Sequence, residues 1–304
     1  MNLIDYATNW SRLLDWLGID RGDILALSGG GARGLAHIGV LQEIDTLGLK
    51  PDMITGTSMG AIIGALYCLE GNSDKIKDTL LAITESKEFK RLGLDELVKS
   101  SKGGSRSFDE WSSHLRRVMM LTKMMHLPAV MEQNLLTDTV EKIFGDATFE
   151  DLKIPFIAMA TDLISGENIP FSSGPLAPAI SASASIPGVF PPVQINGKLL
   201  VDGCVTMNVP IPEAESQNHK VIAVDVLRPL HHVGPYNHGI DILTRSDWIT
   251  QEHLNRFYLE RADLVIQPQV RHVHWADFGK LEDLVDAGKI AVSKKTKELK
   301  SIMK

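Results

Sequence analysis

The sequence predicts an α/β fold, a three-layer α/β/α sandwich built on a mainly parallel central sheet. Two short apolar runs carry this prediction. Residues 24–28 form an apolar run that ends in glycines, which is typical of a buried parallel strand, and residues 53–55 form a second run of this kind. A helical pattern follows each run. A β-α-β-α succession implies a parallel sheet with helices on both of its faces.

Both helices of this opening unit have recognisable patterns. The first carries apolar residues at three-residue steps and ends at Gly48; these residues are Ile38, Leu41, Ile44 and Leu47. The second, which begins after residue 58, is apolar on nearly every side. Its small residues permit close contact with a sheet; they are Gly60, Ala61, Gly64 and Ala65. The pattern therefore predicts a central, buried helix.

The rest of the chain continues the alternation of strands and helices. Further strands are predicted at residues 156–160, 199–201, 221–226 and 264–266. Further helices are predicted at residues 76–84, 109–125, 134–143, 245–260 and 280–300. Two remaining segments, 99–107 and 228–239, are interpreted as long surface loops. No repeat or linker divides the chain, so residues 23–304 are expected to form one domain.

Composition and charge exclude several classes of protein. The chain has 304 residues, of which 44% are hydrophobic, enough to bury a sizeable core. Its formal net charge of -7 argues against a nucleic-acid partner, which would need clustered positive charge. Only two cysteines occur, Cys68 and Cys204, so a reducing compartment is expected. The N-terminus lacks the pattern of a signal peptide, and no apolar run could span a bilayer. These features predict a cytoplasmic protein.

The N-terminal segment, residues 1–22, is predicted to form a short amphipathic helix. Its apolar face is made by Trp10, Leu13, Leu14 and Leu17. Docking of this face onto the protein's own core is favoured over contact with a membrane. Within residues 1–18, the segment carries two acidic residues, Asp5 and Asp15, and one basic residue, Arg12, so anionic lipid is a poor partner for it.

The glycine-rich segment after the first strand has the spacing of a dinucleotide-binding loop. Gly29, Gly31 and Gly34 fit G-x-G-x-x-G. A Rossmann unit also needs an acidic residue at the end of its second strand to bind the ribose. The acid at about the right distance, Asp52, precedes the second strand, so dinucleotide binding is disfavoured.

In the place of that acid stands Gly-Thr-Ser-Met-Gly, residues 56–60, which fits G-x-S-x-G. Between a strand and a helix this pattern indicates a nucleophile elbow, with Ser58 exposed on a strained turn. A tight helix entry without chemistry is the alternative. The glycine loop, at the start of a helix, is expected to face Ser58 with free N–H groups. An attack of Ser58 on a carbonyl would form an oxyanion that these N–H groups can stabilise. Gly30 and Gly31 are then suitable oxyanion donors, joined by the N–H of Met59.

Four segments occur in the order seen in the patatin-like phospholipases, and the chain resembles the small bacterial members most closely. They are GGGARG (29–34), GTSMG (56–60), SASASIPGVFPPV (181–193) and LLVDGCV (199–205). The resemblance covers about residues 23–300. It implies an α/β/α sandwich with a Ser–Asp dyad and no catalytic histidine.

Carried over by motif, the resemblance assigns Ser58 as the nucleophile and Asp202 as its partner. It assigns the loop of Gly29, Gly30 and Gly31 as the oxyanion hole. The usual Asp-Gly-Gly or Asp-Gly-Ala is Asp-Gly-Cys in this chain. The third residue is still small, so the departure puts little in doubt.

From the residues alone, the partner of Ser58 is not decided. Asp202 precedes a glycine between apolar runs, which is typical of a hairpin turn. Asp225 ends a predicted strand, and ligand sites gather at the carboxyl ends of parallel strands. Asp162 is a third candidate. The two leading carboxylates are equally supported until the resemblance favours Asp202.

Other polar residues near the motifs have less specific patterns. His37 lies inside the first helix, where a role at the edge of the core is favoured over catalysis. His272 and His274 lack the acidic or cysteine partners of a metal site, so no metal and no cofactor are expected. Arg33 follows the glycines. It could bind a lipid phosphate of the substrate or hold the loop through a salt bridge, and both alternatives stay open.

A basic, methionine-rich insert at about 87–131 separates the elbow from the next strand. Its methionines are Met119, Met120, Met124, Met125 and Met131, and methionine adapts to irregular partners such as acyl chains. Its basic residues include Lys99, Lys102, Arg106, Arg116, Arg117 and Lys123. The combination predicts a lid or a membrane-contact face. A methionine-rich core helix is the alternative.

Together these features predict a serine acyl hydrolase that cleaves ester-linked fatty acids from membrane phospholipids or lysophospholipids. Peripheral contact with the inner face of a membrane is expected, and homo-oligomers are compatible with the sequence. Two alternatives stay open. One is a hydrolase of small esters or acylglycerols, and the other is a non-catalytic lipid-binding regulatory protein on the same scaffold. Intact Ser58 and Asp202 argue against the last.

Overall fold

The structure, a computed structural model, describes residues 22–94, 98, 126–211, 219–227, 236 and 239–303. Within these residues eight strands form one sheet. The strands are β1 (Gly22–Leu27), β2 (Met53–Thr57), β3 (Phe156–Asp162), β4 (Asn168–Phe171), β5 (Val193–Ile195), β6 (Lys198–Asp202), β7 (His219–Val224) and β8 (Leu264–Ile266). The α-helices are α1 (Ala36–Thr46), α2 (Met59–Glu70), α3 (Asp74–Glu85), α4 (Lys87–Arg91), α5 (Gln133–Phe144), α6 (Leu176–Ser183), α7 (Gly239–Leu259), α8 (Leu281–Ser293) and α9 (Thr296–Ile302).

The sheet is mixed, with a parallel centre and an antiparallel edge. Its order is β5-β6-β3-β2-β1-β7-β8, and β4 pairs with β3 off this path. The five strands from β3 to β8 along this order run parallel. β4 and β6 pair antiparallel with β3, and β5 with β6. The predicted mainly parallel sheet is therefore confirmed for the centre, while β4 and β5 were not predicted.

Side chains of the central strands alternate between two apolar layers, as the two-residue period of a strand requires. Leu25 and Leu27 of β1 face the layer that contains α1, α2, α3 and α8. Ile24 and Ala26 face the opposite layer, where Val209 and the end of α7 pack. Both faces of the sheet are covered, which confirms the three-layer architecture. Helix α2 is buried over its first ten residues, as predicted.

The bounds of several predicted elements shift. The helix predicted at 280–300 is two helices, α8 and α9, because the chain breaks its helical path around Lys294 and Lys295. Of the predicted N-terminal helix, residues 1–21 lie outside the described residues, and Gly22 begins β1. Also outside them lie the loop at 99–107, the helix at 109–125 and most of the loop at 228–239. Of the insert at 87–131, only residues 87–94, 98 and 126–131 are described.

The described part of the chain contains no helix with both the length and the apolar composition needed to cross a bilayer.

Candidate active site

Ser58 lies on a strained turn between β2 and α2. Its backbone angles, φ 56° and ψ -121°, fall in a region that residues with a side chain rarely adopt. A strand that ends at Thr57 and a helix that begins at Met59 leave one residue for the reversal. This is the sharp strand-to-helix turn that the G-x-S-x-G pattern predicts.

The two glycines of this pattern have a steric cause. A Cβ at Gly60 would lie 2.3 Å from the carbonyl oxygen of Leu27, at the end of β1. A Cβ at Gly56 would lie 2.5 Å from the carbonyl oxygen of Gly60. The turn is therefore tight enough to press α2 against the sheet, and only glycine fits on either side of Ser58.

A second serine fixes the orientation of the turn. The backbone N–H of Ser58 donates to Oγ of Ser183 at 3.0 Å, and that hydroxyl donates to the Met159 carbonyl at 2.6 Å. Ser183 is the last residue of α6 and is fully buried. Sequence reasoning did not single out Ser183, although it lies in the segment 181–193 that carries the family resemblance.

The sheet register brings Asp202 to Ser58. Thr57 of β2 pairs with Met159 of β3, and Asp202 of β6 pairs with the next residue, Ala160. At both Met159 and Ala160, one edge of β3 is already paired with β4. β2 and β6 must therefore both pair with the opposite edge of β3. The two strands therefore run toward each other along β3 and end next to each other. Ser58 directly follows one end, and Asp202 is the other.

The Asp202 carboxyl group is fully buried, and burial raises its pKa from 3.8 to about 6. The Ser58 hydroxyl, acting as a hydrogen-bond donor, and the N–H of Cys204 work in the opposite direction. The Cys204 N–H donates to Oδ1 at 2.9 Å. Within the described residues, Oδ2 has no hydrogen-bond partner of regular geometry. The Ser58 hydroxyl is thus close enough to affect the pKa of Asp202 without making a regular hydrogen bond to Oδ2.

The competing carboxylates have other roles. Oδ1 of Asp225 accepts the N–H of Leu227, and Oδ2 accepts the side chain of Gln267, both at 3.0 Å. Asp162 accepts hydrogen bonds within the β3–β4 turn and contacts Lys198 at 3.6 Å. Asp202 does not form the hairpin turn considered for it, since a 3-10 turn follows it. The tight hairpin turn lies instead at Asn196 and Gly197, between β5 and β6.

The predicted role of Gly29 in the oxyanion hole needs correction. The N–H of Gly29 donates to the Asn208 carbonyl at 3.1 Å, so it is not available to an oxyanion. Gly29 is instead a spacer, because a Cβ there would lie 3.1 Å from the Ser58 Cβ. Among the described residues, the N–H groups of Gly30, Gly31 and Met59 make no hydrogen bond. These three N–H groups remain as candidate donors.

The segment around Trp275 holds the glycine loop from outside. The N–H of Ala32 donates to the Trp275 carbonyl at 2.6 Å. Gly31 has φ 57°, and a Cβ there would lie 2.3 Å from the same carbonyl oxygen. Glycine at this position is therefore required both by its backbone conformation and by the close approach of the neighbouring chain.

The positive charge of Arg33 interacts with the Asp225 carboxylate. Burial raises the pKa of Asp225, and the charge of Arg33 is among the effects that lower it. This interaction favours the structural alternative for Arg33, and Arg33 is not among the residues that line the cavity at Ser58. Contact with a substrate phosphate stays a prediction.

His37 is fully buried at the start of α1, and its Nε2 lies 2.8 Å from the Ser28 carbonyl. Burial lowers its pKa from 6.5 to about 4, so the ring is neutral at physiological pH. It holds the backbone at the entry to the glycine loop. In the described residues, no group of three or more His, Cys, Asp or Glu side chains is arranged to hold a metal ion.

Ser58 lines an apolar cavity of about 740 Å³, a volume that includes open solvent at its entrance. Gly31 and Met59 line it beside Ser58. Its remaining wall comes mainly from α2, α3, α5, the segment after α6 and the segment 275–278, and includes Ile62, Leu80, Ile83, Val140, Phe190 and Phe278. None of the described residues that line it is charged. Its lining suits a hydrocarbon chain.

Several known proteins are similar to this chain in sequence. A 33% identical stretch of 187 residues is shared with an NTE family protein of Mycobacterium tuberculosis, and it covers 62% of this chain and 44% of that protein. Neuropathy target esterase sws of Drosophila melanogaster is 30% identical over 223 residues, which are 72% of this chain and 14% of that protein. The chain thus spans less than half the length of these relatives.

Among solved structures, VipD from Legionella pneumophila aligns with a TM-score of 0.43 at 13% identity, over 88% of this chain and 67% of that one. The sequence model of the patatin-like phospholipases matches residues 25–215. The match covers more than half of the chain and includes the glycine loop, the turn at Ser58 and the strand that ends at Asp202. The chain therefore belongs to the patatin-like phospholipase family.

Proposed function

We propose that this protein is a serine acyl hydrolase that releases fatty acids from phospholipids or lysophospholipids. One observation carries the proposal: β2 and β6 end next to each other along β3, which brings Asp202 close to Ser58, and Ser58 lines an apolar cavity. A nucleophile, a base and a place for an acyl chain are thus combined at one point.

In the proposed reaction, Ser58 Oγ attacks the ester carbonyl while Asp202 accepts the hydroxyl proton. The carbonyl oxygen becomes an oxyanion, to which Gly30, Gly31 and Met59 donate N–H groups. When this intermediate collapses, the ester C–O bond breaks and the leaving alcohol takes the proton from Asp202. Water then attacks the acyl-enzyme by the same route in reverse, which frees the fatty acid and restores Ser58.

The environment of Asp202 supports its role as the base. An aspartate of ordinary pKa is a weak base toward a hydroxyl group. Burial raises the pKa of Asp202 to about 6, which makes the carboxylate more basic while it stays mostly ionised at neutral pH. Oδ1 is occupied by Cys204, and Oδ2 is left for the Ser58 proton.

The same feature argues against a non-catalytic lipid carrier on this scaffold. A buried carboxylate oxygen without a regular hydrogen bond costs stability, and a strained backbone at Ser58 adds to the cost. A protein that only binds lipid would need neither feature. A hydrolase of small esters or acylglycerols would use the same Ser58 and Asp202, and the choice of substrate decides between them.

Labelling with a fluorophosphonate, followed by peptide mass analysis, tests the proposal. We expect one adduct, on Ser58, and none in Ser58→Ala. Hydrolysis of phosphatidylcholine and lysophosphatidylcholine is then compared with that of a triacylglycerol and a butyrate ester, with Ser58→Ala as the blank. An adduct at another residue, or lipid hydrolysis that survives in Ser58→Ala, would remove Ser58 from the mechanism.

A further inference from the structure

The turn between β3 and β4, residues 163–166, exposes two large aliphatic side chains at its tip. Leu163 is 54% exposed and Ile164 is 75% exposed, the largest fraction for any large apolar side chain among the described residues. We name residues 163–166 the β3–β4 tip. Exposure of one aliphatic residue is ordinary, but two consecutive ones at the end of a hairpin call for an explanation.

The tip is held in a fixed shape rather than left loose. The Gly166 N–H donates to the Asp162 carbonyl at 2.8 Å and closes the turn. The Asp162 carboxylate accepts the Ser165 hydroxyl at 2.9 Å and the Ile164 N–H at 3.3 Å. The Leu163 N–H donates to the Leu199 carbonyl on the neighbouring strand at 2.8 Å. Three of the four backbone N–H groups of the tip are therefore hydrogen-bonded, while the two aliphatic side chains remain exposed.

The tip projects past the active site at the end of the sheet where β2 and β3 have their carboxyl ends. Met159 lies level with Thr57, directly before Ser58, and β3 continues for three more residues to Asp162. At about 3.3 Å per residue, β3 extends about 10 Å beyond the level of Thr57, the residue before Ser58. The turn after Asp202 is tied to the base of the same hairpin, because Thr206 hydrogen-bonds Thr161 at 2.7 Å. The tip and the turn that follows Asp202 are thus directly connected.

Two features favour a lipid surface as the binding partner of the tip. Two side chains fall far short of the ~800 Å² that each partner of a standard protein interface buries, whereas insertion into lipid needs only a small apolar wedge. No charged residue lies between positions 163 and 166. The flanking Asp162 and Glu167 are both drawn toward Lys198, at 3.6 and 3.7 Å. One lysine thus offsets part of the negative charge of the two carboxylates at the base of the tip.

We propose that the β3–β4 tip inserts Leu163 and Ile164 into the outer hydrocarbon layer of a phospholipid surface and so docks the active site on it. The inference rests on the proposed function only for the presence of lipid at the site. Attraction is hydrophobic, so docking requires neither anionic lipid nor low salt. It is thereby distinct from the electrostatic contact predicted for the basic insert at 87–131.

A polarity-sensitive dye at the tip tests insertion directly. The dye is attached to Ile164→Cys in a Ser58→Ala background, which prevents degradation of the vesicles, and peptide mass confirms the labelled position. Ile290→Cys on α8, where the native side chain is 54% exposed, is the matched control. With phosphatidylcholine vesicles in 0.5 M NaCl, we expect a blue shift for the tip and none for the control.

Vesicle flotation under the same conditions gives the second measurement. Leu163→Ser with Ile164→Ser should weaken partitioning by at least about tenfold, because two aliphatic side chains no longer leave water. Ile290→Ser should bind like the parent. The pair Ile242→Ser and Leu243→Ser tests the other exposed apolar surface, on α7, where these side chains are 55% and 68% exposed.

Three results would overturn the proposal: an unshifted dye at position 164, tip variants that bind like the parent, or loss of parental binding in 0.5 M NaCl. The last would assign docking to the basic insert. Loss of binding only in the α7 pair would move docking to that helix. If the dye inserts while Ser58 takes no fluorophosphonate and no lipid is hydrolysed, the proposed function fails and the docking surface stands.

Discussion

The Ser58 backbone N–H and the Ser183 hydroxyl form a hydrogen bond of 3.0 Å that ties the strained turn to helix α6. The same hydroxyl donates to Met159 on the neighbouring strand, at 2.6 Å. One buried side chain thus links two backbone groups, one at the turn and one in β3. The candidate nucleophile is held in position by a residue that would never touch a substrate.

Ser183→Ala should leave both of these backbone groups buried without a partner. We expect a loss of stability of about 1–3 kcal/mol, together with a fall in kcat for a soluble ester at nearly constant KM. Ser181→Ala is the matched control on the same helix. Its hydroxyl is buried and, among the described residues, has no hydrogen-bond partner, so its removal should be neutral or mildly stabilising. Equal effects of the two variants in denaturant titrations would contradict this role for Ser183.

Asp202→Asn should stabilise the protein at alkaline pH while abolishing nearly all turnover. The pKa of Asp202 in the fold, about 6, lies above its ordinary value of 3.8, so the fold favours the protonated form. That contribution is complete below pH 3.8 and is lost as the pH rises through 6. Above that pH the buried, ionised carboxylate lowers the free energy of unfolding by about 3 kcal/mol, and the neutral amide of the variant avoids this loss.

Melting temperatures at pH 8 and pH 4 measure this effect, since the gain should be large at pH 8 and small at pH 4. Asp225→Asn is the control for turnover and should keep much of its activity, because Asp225 bonds Leu227 and Gln267 rather than Ser58. Full activity in Asp202→Asn with loss in Asp225→Asn would transfer the role of base to Asp225.

The pH dependence of kcat/KM reports on the same carboxylate. Asp202 accepts a proton only when ionised, so activity on an uncharged, soluble ester should fall below pH about 6 with a slope of one. His37 is the nearest histidine along the glycine loop, but its pKa of about 4 lies too low to produce this limb. A partly active Asp202→Glu variant provides the control. If its acid limb keeps the same midpoint near pH 6, a group other than residue 202 titrates there.

The sequence predicts the nucleophile better than its partner, and the reason is physical. The turn at Ser58 is a local event, so a strand, a G-x-S-x-G run and an apolar helix are enough to locate it. The position of Asp202 depends on a register between β3 and β6, whose paired residues Ala160 and Asp202 lie far apart in sequence. Nothing in the composition of either strand specifies that register, and only the family resemblance decided between Asp202 and Asp225.

The same limit explains the error at Gly29. Its N–H is engaged by the carbonyl of Asn208, which reaches the glycine loop from a distant segment. The missed strands have a different cause. β4 (Asn-Ile-Pro-Phe) and β5 (Val-Gln-Ile) are interrupted by polar residues or proline, so neither shows the continuous apolar run that predicted the equally short β8. The Asn196–Gly197 pair between β5 and β6 was a usable signal, since Asn-Gly is typical of two-residue hairpin turns.

Gly60→Ala should destabilise the protein although alanine is the better helix former. In an open helix the change would gain up to about 1 kcal/mol. At this position the added Cβ would lie 2.3 Å from the Leu27 carbonyl oxygen, so we expect a loss of more than about 2 kcal/mol in the free energy of unfolding. Gly239→Ala, at the first residue of α7 with no atom within 4 Å, should change it by less than about 0.5 kcal/mol. Similar stabilities for both variants would contradict the tight packing of α2.

Ile83→Trp should select against long acyl chains if the cavity at Ser58 holds the fatty acid. Ile83 lines the cavity from α3 and is 7% exposed, so a larger ring would occupy the space of several methylene groups. We expect kcat/KM for a laurate ester to fall by at least about tenfold relative to a butyrate ester, since each lost methylene contact contributes ~0.8 kcal/mol. Leu81→Trp is the matched control, because Leu81 lies on the same helix but is 38% exposed and does not line the cavity. An equal fall for both esters, accompanied by a lower melting temperature, would mean that Ile83 supports the core and that the acyl chain lies elsewhere.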